Sequence, residues 1–159
     1  MGGTNHILPV MIKMSSYLSP RRLAVLDADS KPAALRQLLQ TFAGCPQIID
    51  HARFSGEIFA REEMLPTNLS GGIGVPHARS AAVREPVAAL GVLTRPIVYG
   101  GLSPQPVSAI IIVGMPENAN DEYLRYLARI SYVFSKDEIR QRIFACRTPE
   151  ELCRLVCQY

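Results

Sequence analysis

The chain has 159 residues, of which 48% are hydrophobic and 19% are charged, and its formal net charge at pH 7 is +3. This balance is typical of one globular domain and excludes a disordered chain. The lysines and arginines are scattered without a basic stripe, which argues against nucleic-acid binding. Because no apolar run approaches the ~20 residues that cross a bilayer, the sequence predicts no membrane-spanning helix.

The first residues, MGGTNHILPVMIKM, combine a short apolar patch with no basic region before it. This pattern is a poor match to a secretory signal peptide. We therefore expect residues 1–13 to form an N-terminal tail and residues 14–159 to form the domain of a cytoplasmic protein. Met14 is an alternative start of the chain.

The cysteines do not show the spacing of a metal site. None of them forms a Cys-x-x-Cys pair, and the three histidines lie far from them in the sequence, so a zinc site is not indicated. We expect small apolar core thiols rather than redox residues, and nothing in the sequence implies a cofactor. The four cysteines are Cys45, Cys146, Cys153 and Cys157.

The first half of the chain predicts two helices. One spans residues 32–44, because apolar residues recur on one face and Ser30 can cap its start. The second spans residues 50–64 and must end before Pro66. The apolar face of the first helix comprises Leu35, Leu38, Leu39 and Phe42.

Two strands are predicted in the middle of the chain. Residues 87–99 are rich in β-branched residues and are interrupted by Pro96, which indicates a strand with an extended continuation. Residues 107–113 form an apolar run without alternation, which is typical of a central strand buried on both faces.

Three helices are predicted to close the chain. Asn118 or Asn120 would cap the first, and capping boxes at residues 135–138 and 148–151 would open the others. We therefore expect an α/β fold, a single-domain sandwich with a small mixed β-sheet flanked by helices on both faces. The residues expected to point inward from the first of these helices are Leu124, Leu127, Ala128, Ser131 and Phe134.

The segment SGGIGVPHARS, residues 70–80, carries the main functional signal. Its glycines permit positive φ, and successive amide groups in such a turn can bind an anion. Pro76 favours an extended residue before it, so His77 is expected at a stiff strand edge beside the turn. A neutral imidazole whose tautomer is fixed by one hydrogen bond can attack a phosphoryl group with its other nitrogen.

The residues alone leave a plainer explanation open, since a histidine near a glycine turn is most often structural or merely exposed. The turn is not a Walker loop, because no Gly-Lys-Ser/Thr follows it, and it is not a dinucleotide fingerprint. A nucleotide-hydrolysing enzyme is therefore disfavoured.

Arg61-Glu62, then Thr67, then the run from Gly71 to His77, resemble in order and spacing the signature of one known family. It is the type 2 (fructose/mannitol) enzyme IIA domain of the bacterial phosphotransferase system (PTS), which includes nitrogen-related regulatory IIA proteins. The resemblance spans about residues 14–159 and includes PVSAIIIVGMP and TPEELCRLV. It implies that His77 accepts a phosphoryl group from phospho-HPr and passes it to a IIB domain.

The resemblance also implies supporting residues for this histidine. Arg61 would hold a phosphoryl oxygen with its planar fork, Thr67 could donate a hydroxyl hydrogen bond, and Gly71 and Gly72 would belong to the phosphoryl-binding turn. Each has a plainer alternative: a solvated arginine at a helix end for Arg61, and ordinary turn residues for the others.

Two further charged residues flank these positions. Arg79 would share a strand face with His77 and could attract phosphate or an acidic partner, although a plain surface charge explains it equally well. Glu62 is expected to be a surface residue or a helix-end partner rather than a catalytic group.

Tyr123 marks a departure from the family pattern. Many members carry a second histidine before the leucine that is Leu124 here. Tyr123 is expected on the inward edge of its helix near the site, where its phenol could bind a phosphoryl oxygen or His77 without carrying positive charge. An amphipathic tyrosine that packs at a helix start is the alternative.

The sequence therefore predicts one of two functions. The first is a phosphocarrier that meets an HPr-like donor and a IIB acceptor through a shallow apolar surface around the site. The second is a regulatory binding module in which phosphorylation of His77 is a switch or has been lost.

Overall fold

The structure is a computed structural model that describes residues 12–101 and 105–159. Most of the predicted tail, residues 1–11, lies outside the described residues, whereas Ile12 is partly buried and packs against the core. Two short 3-10 turns, Met14–Tyr17 and Pro20–Arg22, open the described chain. The elements that follow are β1 (Leu23–Leu26), α1 (Lys31–Gln40), α2 (His51–Met64), β2 (Asn68–Leu69), β3 (Ile73–Gly74), β4 (His77–Arg79), β5 (Val87–Ile97), β6 (Val107–Met115), α3 (Asn120–Ser135), α4 (Asp137–Phe144) and α5 (Pro149–Val156).

The strands form one mixed sheet in the order β1-β5-β6-β3-β2, and β4 also pairs with β6. β5 and β6 are antiparallel, whereas β1 is parallel to β5, and β3 and β4 are both parallel to β6. β3 and β4 lie one after the other along the same edge of β6, with Ile73 opposite Ala109 and His77 opposite Val113. The mixed sheet confirms the prediction.

Helices cover both faces of this sheet, as predicted. Alternation along β5 sends Ala88 and Leu90 into the core that α3, α4 and α5 share with the N-terminal turns. Val87 and Ala89 enter the second core, which lies under α1 and α2. The predicted apolar face of α1, with Leu35, Leu38, Leu39 and Phe42, is fully buried in this second core.

The end of α1 and the number of strands differ from the prediction. Ser30 caps α1 by accepting a hydrogen bond from the Ala33 amide, but α1 ends at Gln40 and single turns lead to Gly44, whose φ is +73°. β1 and the short β2 and β3 were not predicted, because segments of two to four residues show no resolvable periodicity.

The inward face of α3 corrects the sequence prediction. Leu124, Ala128 and Ser131 are exposed and Leu127 is only partly buried, so of the predicted set Phe134 alone is fully buried. The helix is rotated because its tyrosines act as core residues, their rings being large and apolar. The buried face comprises Tyr123, Tyr126, Ile130, Val133 and Phe134.

Of the predicted caps in the last third of the chain, one is confirmed. Ala119 is the N-cap of α3 and makes no side-chain cap, so the predicted caps Asn118 and Asn120 are wrong. The Ser135 hydroxyl donates to the Tyr132 carbonyl and does not open α4. Thr148 does cap α5, where its Oγ1 accepts from the Glu151 amide at 3.1 Å.

The cysteines are distributed from the core to the surface. Cys146 is buried, Cys45 and Cys153 are partly buried, and Cys157 is exposed. The expectation of core thiols is confirmed for Cys146 and wrong for Cys157. Within the described parts of the chain, no helix is long and apolar enough to cross a membrane.

Candidate functional site

His77 begins β4 at the edge of the sheet, as its sequence context predicts. Two backbone hydrogen bonds hold the residues before it. The Val75 amide donates to the Thr67 carbonyl at 2.7 Å, and the Pro76 carbonyl accepts from the Val113 amide at 3.0 Å. The side chain of His77 is half-buried while the flanking Pro76 and Ala78 are buried. The imidazole is therefore presented from a fixed backbone.

The tautomer of His77 follows from one short hydrogen bond. Its Nδ1 lies 2.6 Å from the Val75 carbonyl oxygen. A carbonyl can only accept, so Nδ1 must carry the proton. In the neutral ring, Nε2 then keeps its lone pair and is the nucleophilic nitrogen.

The surroundings of His77 favour the neutral ring. Burial is the largest effect and lowers the pKa of His77 below its ordinary value of 6.5. The hydrogen bond to Val75 acts in the opposite direction, the positive charge of Arg61 lowers the pKa further, and Glu62 raises it. Because the net direction is downward, the imidazole is mostly unprotonated at neutral pH.

Tyr123 lies beside this imidazole, on the first turn of α3. The ring centroids of His77 and Tyr123 are 5.4 Å apart and the planes are inclined by 54°. Burial raises the pKa of the Tyr123 phenol although the nearby Arg61 and Arg79 lower it. The phenol therefore stays protonated at neutral pH and can donate a hydrogen bond.

Two arginines place positive charge around the two rings. Arg61 lies in the last turn of α2 and is exposed, and its charge acts on both His77 and Tyr123. The Cζ of Arg79 lies 5.5 Å from the centroid of the Tyr123 ring. The structure thus brings four sequence-predicted residues together: His77, Tyr123, Arg61 and Arg79. A nucleophilic nitrogen beside guanidinium groups is suited to an electrophile that carries negative oxygens.

The backbone of Thr67 is hydrogen-bonded to the segment that carries His77, whereas its hydroxyl is hydrogen-bonded away from that segment. Its carbonyl accepts from the Val75 amide. Its hydroxyl donates to the Leu65 carbonyl at 3.4 Å, a long and weak hydrogen bond. The structure therefore assigns Thr67 a backbone link to the histidine segment.

Gly71 and Gly72 lie at the other end of the strand from His77, which corrects the expected position of the turn. Their φ angles are +99° and +87°, and the Gly72 carbonyl accepts from the Ser108 amide at 2.7 Å. His77 is paired with Val113, which lies five residues beyond Ser108 on β6. At the usual rise per residue, Gly72 and His77 are therefore about 16 Å apart. The glycine turn shapes the start of β3 and does not surround the imidazole.

The sequence prediction also missed a buried ion pair behind the site. Glu62 is only 3% exposed, and its Oε2 lies 2.8 Å from the Lys31 Nζ. The Lys31 ammonium also lies 4.0 Å from the centroid of the Tyr99 ring. The expected surface position of Glu62 is therefore wrong, whereas the alternative, a partner at a helix end, fits its ion pair with Lys31 at the start of α1. No local pattern could have shown it, because Lys31 and Tyr99 are distant in the sequence.

Comparison with known proteins agrees with this fold. Residues 17–159 match the family described as "Phosphoenolpyruvate-dependent sugar phosphotransferase system, EIIA 2". The chain is 33% identical over 152 residues to the 2-O-alpha-mannosyl-D-glycerate-specific PTS EIIABC component of Escherichia coli K12, covering 93% of this chain but only 23% of that protein. It is 28% identical to the nitrogen regulatory protein of Pseudomonas aeruginosa, covering 92% of this chain and 96% of that one.

Solved structures show the same architecture. The nitrogen regulatory protein IIA-Ntr from Neisseria meningitidis superposes with a TM-score of 0.80 at 26% identity, covering 90% of this chain and 98% of that one. The E. coli mannitol IIA enzyme, solved in complex with phosphorylated mannitol IIB, gives a TM-score of 0.75 at 14% identity over 89% of this chain and 98% of that one. At that identity the second likeness concerns the fold alone.

Proposed function

Because the chain belongs to the EIIA 2 family of the phosphoenolpyruvate-dependent sugar phosphotransferase system, we propose that His77 is its phosphoryl acceptor. The phosphoryl group arrives on a histidine of an HPr-like phosphocarrier and leaves to a IIB domain or to the solvent. This chain is a phosphotransfer component in that scheme, with a phosphohistidine as its intermediate.

The hydrogen bond between His77 Nδ1 and the Val75 carbonyl is the observation that carries the proposal. It leaves the Nε2 lone pair free to attack phosphorus. The new P–N bond forms at Nε2 as the P–N bond to the donor histidine breaks, and the bonding pair of the broken bond returns to the donor nitrogen. The proton stays on Nδ1, which remains hydrogen-bonded to the Val75 carbonyl. The ring therefore gains a formal positive charge as the P–N bond forms, which the negative phosphoryl oxygens balance, and it is neutral again when the bonding pair returns to Nε2 as the phosphoryl group leaves.

The neighbouring cations and phenol match the charge that this step brings. In the transition state for phosphoryl transfer, negative charge is spread over three oxygens, and catalysis consists mainly of positioning and electrostatic stabilisation. Arg61 and Arg79 supply positive charge near Tyr123, and the Tyr123 phenol supplies a hydroxyl donor. Tyr123 thus takes the place of the usual second histidine with a neutral group.

Exposed apolar side chains near the site, which form an apolar rim, support proteins as the donor and the acceptor of the phosphoryl group. Three large apolar side chains are exposed on the elements that carry Arg61 and Tyr123: Met64 (86%), Leu65 (65%) and Leu124 (63%). Exposed apolar groups beside charged ones are typical of transient docking surfaces. Partners of the HPr and IIB classes, as in the mannitol IIA–IIB complex, fit this surface.

A regulatory role is the second candidate. The similarity to nitrogen regulatory proteins of P. aeruginosa and N. meningitidis extends over at least 90% of this chain. Phosphorylation of His77 would then add negative charge at the same rim and change which partner binds.

The direct test is phosphorylation in a reconstituted system. The protein is mixed with phosphoenolpyruvate, enzyme I and HPr, and the intact mass is measured. We expect a gain of one phosphoryl group that is labile to acid and that disappears in His77→Ala. His51→Ala is the matched control. Like His77, His51 is partly buried, and its Nε2 lies 2.9 Å from the Leu39 carbonyl oxygen. No gain, or a gain that survives in His77→Ala, would overturn the proposal.

The regulatory alternative needs a binding experiment. Wild-type protein, His77→Ala and His77→Asp are used to capture partners from the source cells. Partners that differ between the alanine and aspartate variants support a switch at His77. The same partners with all three proteins argue against it.

A further inference from the structure

We propose that Glu62 is a positioning residue for His77, which it reaches through the backbone of Thr67 and Val75. The inference rests on the proposed function of His77 and deepens it. Glu62 does not touch the imidazole in this arrangement. It fixes the carbonyl group that determines which imidazole nitrogen is free to react.

The starting point is the burial of the Glu62 carboxylate. It is 3% exposed and pairs with Lys31, which is itself only 15% exposed, at 2.8 Å. Removing a carboxylate from water is costly unless other donors replace the lost hydration. The Lys31 ammonium and the Thr67 amide are donors of this kind, and the Tyr99 ring covers the ammonium.

A continuous chain of hydrogen bonds leads from this carboxylate to the imidazole. The Thr67 amide donates to both carboxylate oxygens of Glu62 at 3.2 Å. The Thr67 carbonyl then accepts from the Val75 amide at 2.7 Å, and the Val75 carbonyl lies 2.6 Å from His77 Nδ1. The amide and carbonyl of Thr67, and those of Val75, are joined only through their Cα atoms, so the link is one of position: holding the Thr67 amide holds the Val75 carbonyl in place.

The charge of Glu62 also acts on the pKa of His77 through space, in the opposite direction to the charge of Arg61 on the same helix. Its negative charge raises the pKa of His77, whereas burial and the positive charge of Arg61 lower it. The charged or titratable groups around the two site rings are Arg61 and Glu62 from α2, Arg79 from β4 and Tyr123 from α3. Loss of Glu62 would leave the positive charge of Arg61 unopposed at His77.

If the Glu62–Lys31 ion pair served only the stability of the fold, removing both charges would leave the tautomer and the titration midpoint of His77 unchanged. Replacing such a pair with uncharged groups is often neutral for stability, whereas removing one partner leaves a buried charge unpaired. The double variant Lys31→Met/Glu62→Gln removes both charges together. It separates the effect on His77 from the cost of an unpaired lysine, which the single variant Glu62→Gln would carry.

The experiment records the nitrogen chemical shifts of the His77 imidazole by NMR as a function of pH. In the wild type we expect the Nδ1–H tautomer to predominate. In folded Lys31→Met/Glu62→Gln we expect a mixture of tautomers and a lower titration midpoint. The Thr67 amide then has one neutral acceptor in place of two carboxylate oxygens, so the Val75 carbonyl is held less firmly, and the negative charge that raises the pKa of His77 is lost. Glu57→Gln is the matched control, since Glu57 lies on the same helix in an exposed pair with Arg53 at 2.9 Å.

These readings require no phosphoryl donor, so they stand even if the chain is never phosphorylated. Where the wild type is phosphorylated, the double variant should transfer at least about tenfold more slowly, because misplacing a reacting group is expensive, and Glu57→Gln should be unchanged. A folded double variant with the wild-type tautomer and titration midpoint would overturn the role of Glu62. If the double variant does not fold, Glu62→Gln in otherwise unchanged protein supplies the tautomer reading alone, because the charge of the unpaired Lys31 can shift the titration midpoint but does not select between the two ring nitrogens. The wild-type tautomer in that variant would also overturn the role of Glu62.

Discussion

The rings of His77 and Tyr123 lie 5.4 Å apart, centroid to centroid, although β4 and α3 are separated in the chain by the whole of β5 and β6. The pairing of His77 with Val113 on β6 brings the histidine to the end of the strand from which the chain runs on to α3. Tyr123 is therefore a direct neighbour of the imidazole.

Tyr123→Phe tests the use of this phenol. The substitution keeps the ring and removes only the hydroxyl, so the fold should be retained. We expect transfer to His77 to slow by about tenfold, which corresponds to one hydrogen bond to a charged oxygen. The measurement is the single-turnover rate from phospho-HPr.

Tyr132→Phe serves as its control. Tyr132 lies on the same helix and is 53% exposed, so loss of its hydroxyl should leave the rate unchanged. Equal rates for wild type and Tyr123→Phe would show that Tyr123 acts by packing alone.

The pKa of His77 predicts the pH profile of phosphoryl transfer. Because burial lowers this pKa below 6.5, Nε2 should be available throughout the neutral range. We expect a rate that is flat above neutrality and falls in acid with a midpoint below 6.5. A midpoint above 6.5 would contradict the desolvated environment described for the ring.

The same pKa predicts how stability depends on pH. The folded state binds the proton on His77 more weakly than the unfolded chain does, so stability falls as the pH drops below about 6.5 and levels off below the folded pKa. The loss should be smaller in His77→Gln, which cannot be protonated. Urea denaturation of both proteins at a series of pH values measures the difference, and identical pH dependence would contradict it.

Arg61 and Arg79 should differ in their effect on the imidazole. Arg61 lowers the pKa of His77, so Arg61→Gln should raise the titration midpoint while transfer slows by about a hundredfold, the cost of losing one charge-stabilising donor. Arg79 acts on Tyr123, so Arg79→Gln should slow transfer and leave the midpoint of His77 in place. NMR titration and single-turnover rates check both, and equal shifts of the midpoint would contradict the distinction.

Gly74 is predicted to tolerate no side chain. A Cβ at this position would lie 2.6 Å from Tyr99 Cε2 and 2.7 Å from Cζ, and the ring is buried under Lys31. Gly74→Ala should therefore destabilise the protein by about 2 kcal/mol, as overpacking does. Thermal denaturation measures it.

Gly56→Ala is the matched control. Gly56 lies inside α2, and a Cβ there would meet none of the described atoms within 4 Å. This substitution should stabilise the protein by about 0.5–1 kcal/mol, because alanine favours the helix. Destabilisation by Gly56→Ala, or tolerance of Gly74→Ala, would contradict the packing described here.

The sequence predicted those parts of the fold that have a long or strong pattern. The apolar run of β6 and the spaced leucines of α1 are explicit in the residues, and both are confirmed. The predicted face of α3 was wrong because Tyr126, a fully buried core residue, is left out of a simple apolar count, whereas the expected inward position of Tyr123 is confirmed. A short strand such as β3 forms only because it pairs with β6, and this long-range pairing leaves no local pattern in the sequence.

The sequence likewise predicted only those parts of the site that a local motif contains. The motif predicted that Arg61 lies near His77, which the structure shows, and the proline before His77 indicated its stiff presentation. The glycines beside it in sequence lie about 16 Å away because an extended chain covers that distance in five residues. The ion pair of Glu62 with Lys31 depends on tertiary packing alone.

The pairing of β4 with β6 also determines when the site can be completed during synthesis. His77 leaves the ribosome before both Val113, its partner in the sheet, and Tyr123, its neighbour in the site. β5 and β6 are consecutive and antiparallel, so their association needs little loop closure and is expected to precede the docking of β4. The nascent chain thus carries an imidazole without its neighbouring ring until α3 has been made, so the paired arrangement of His77 and Tyr123 forms only late in synthesis.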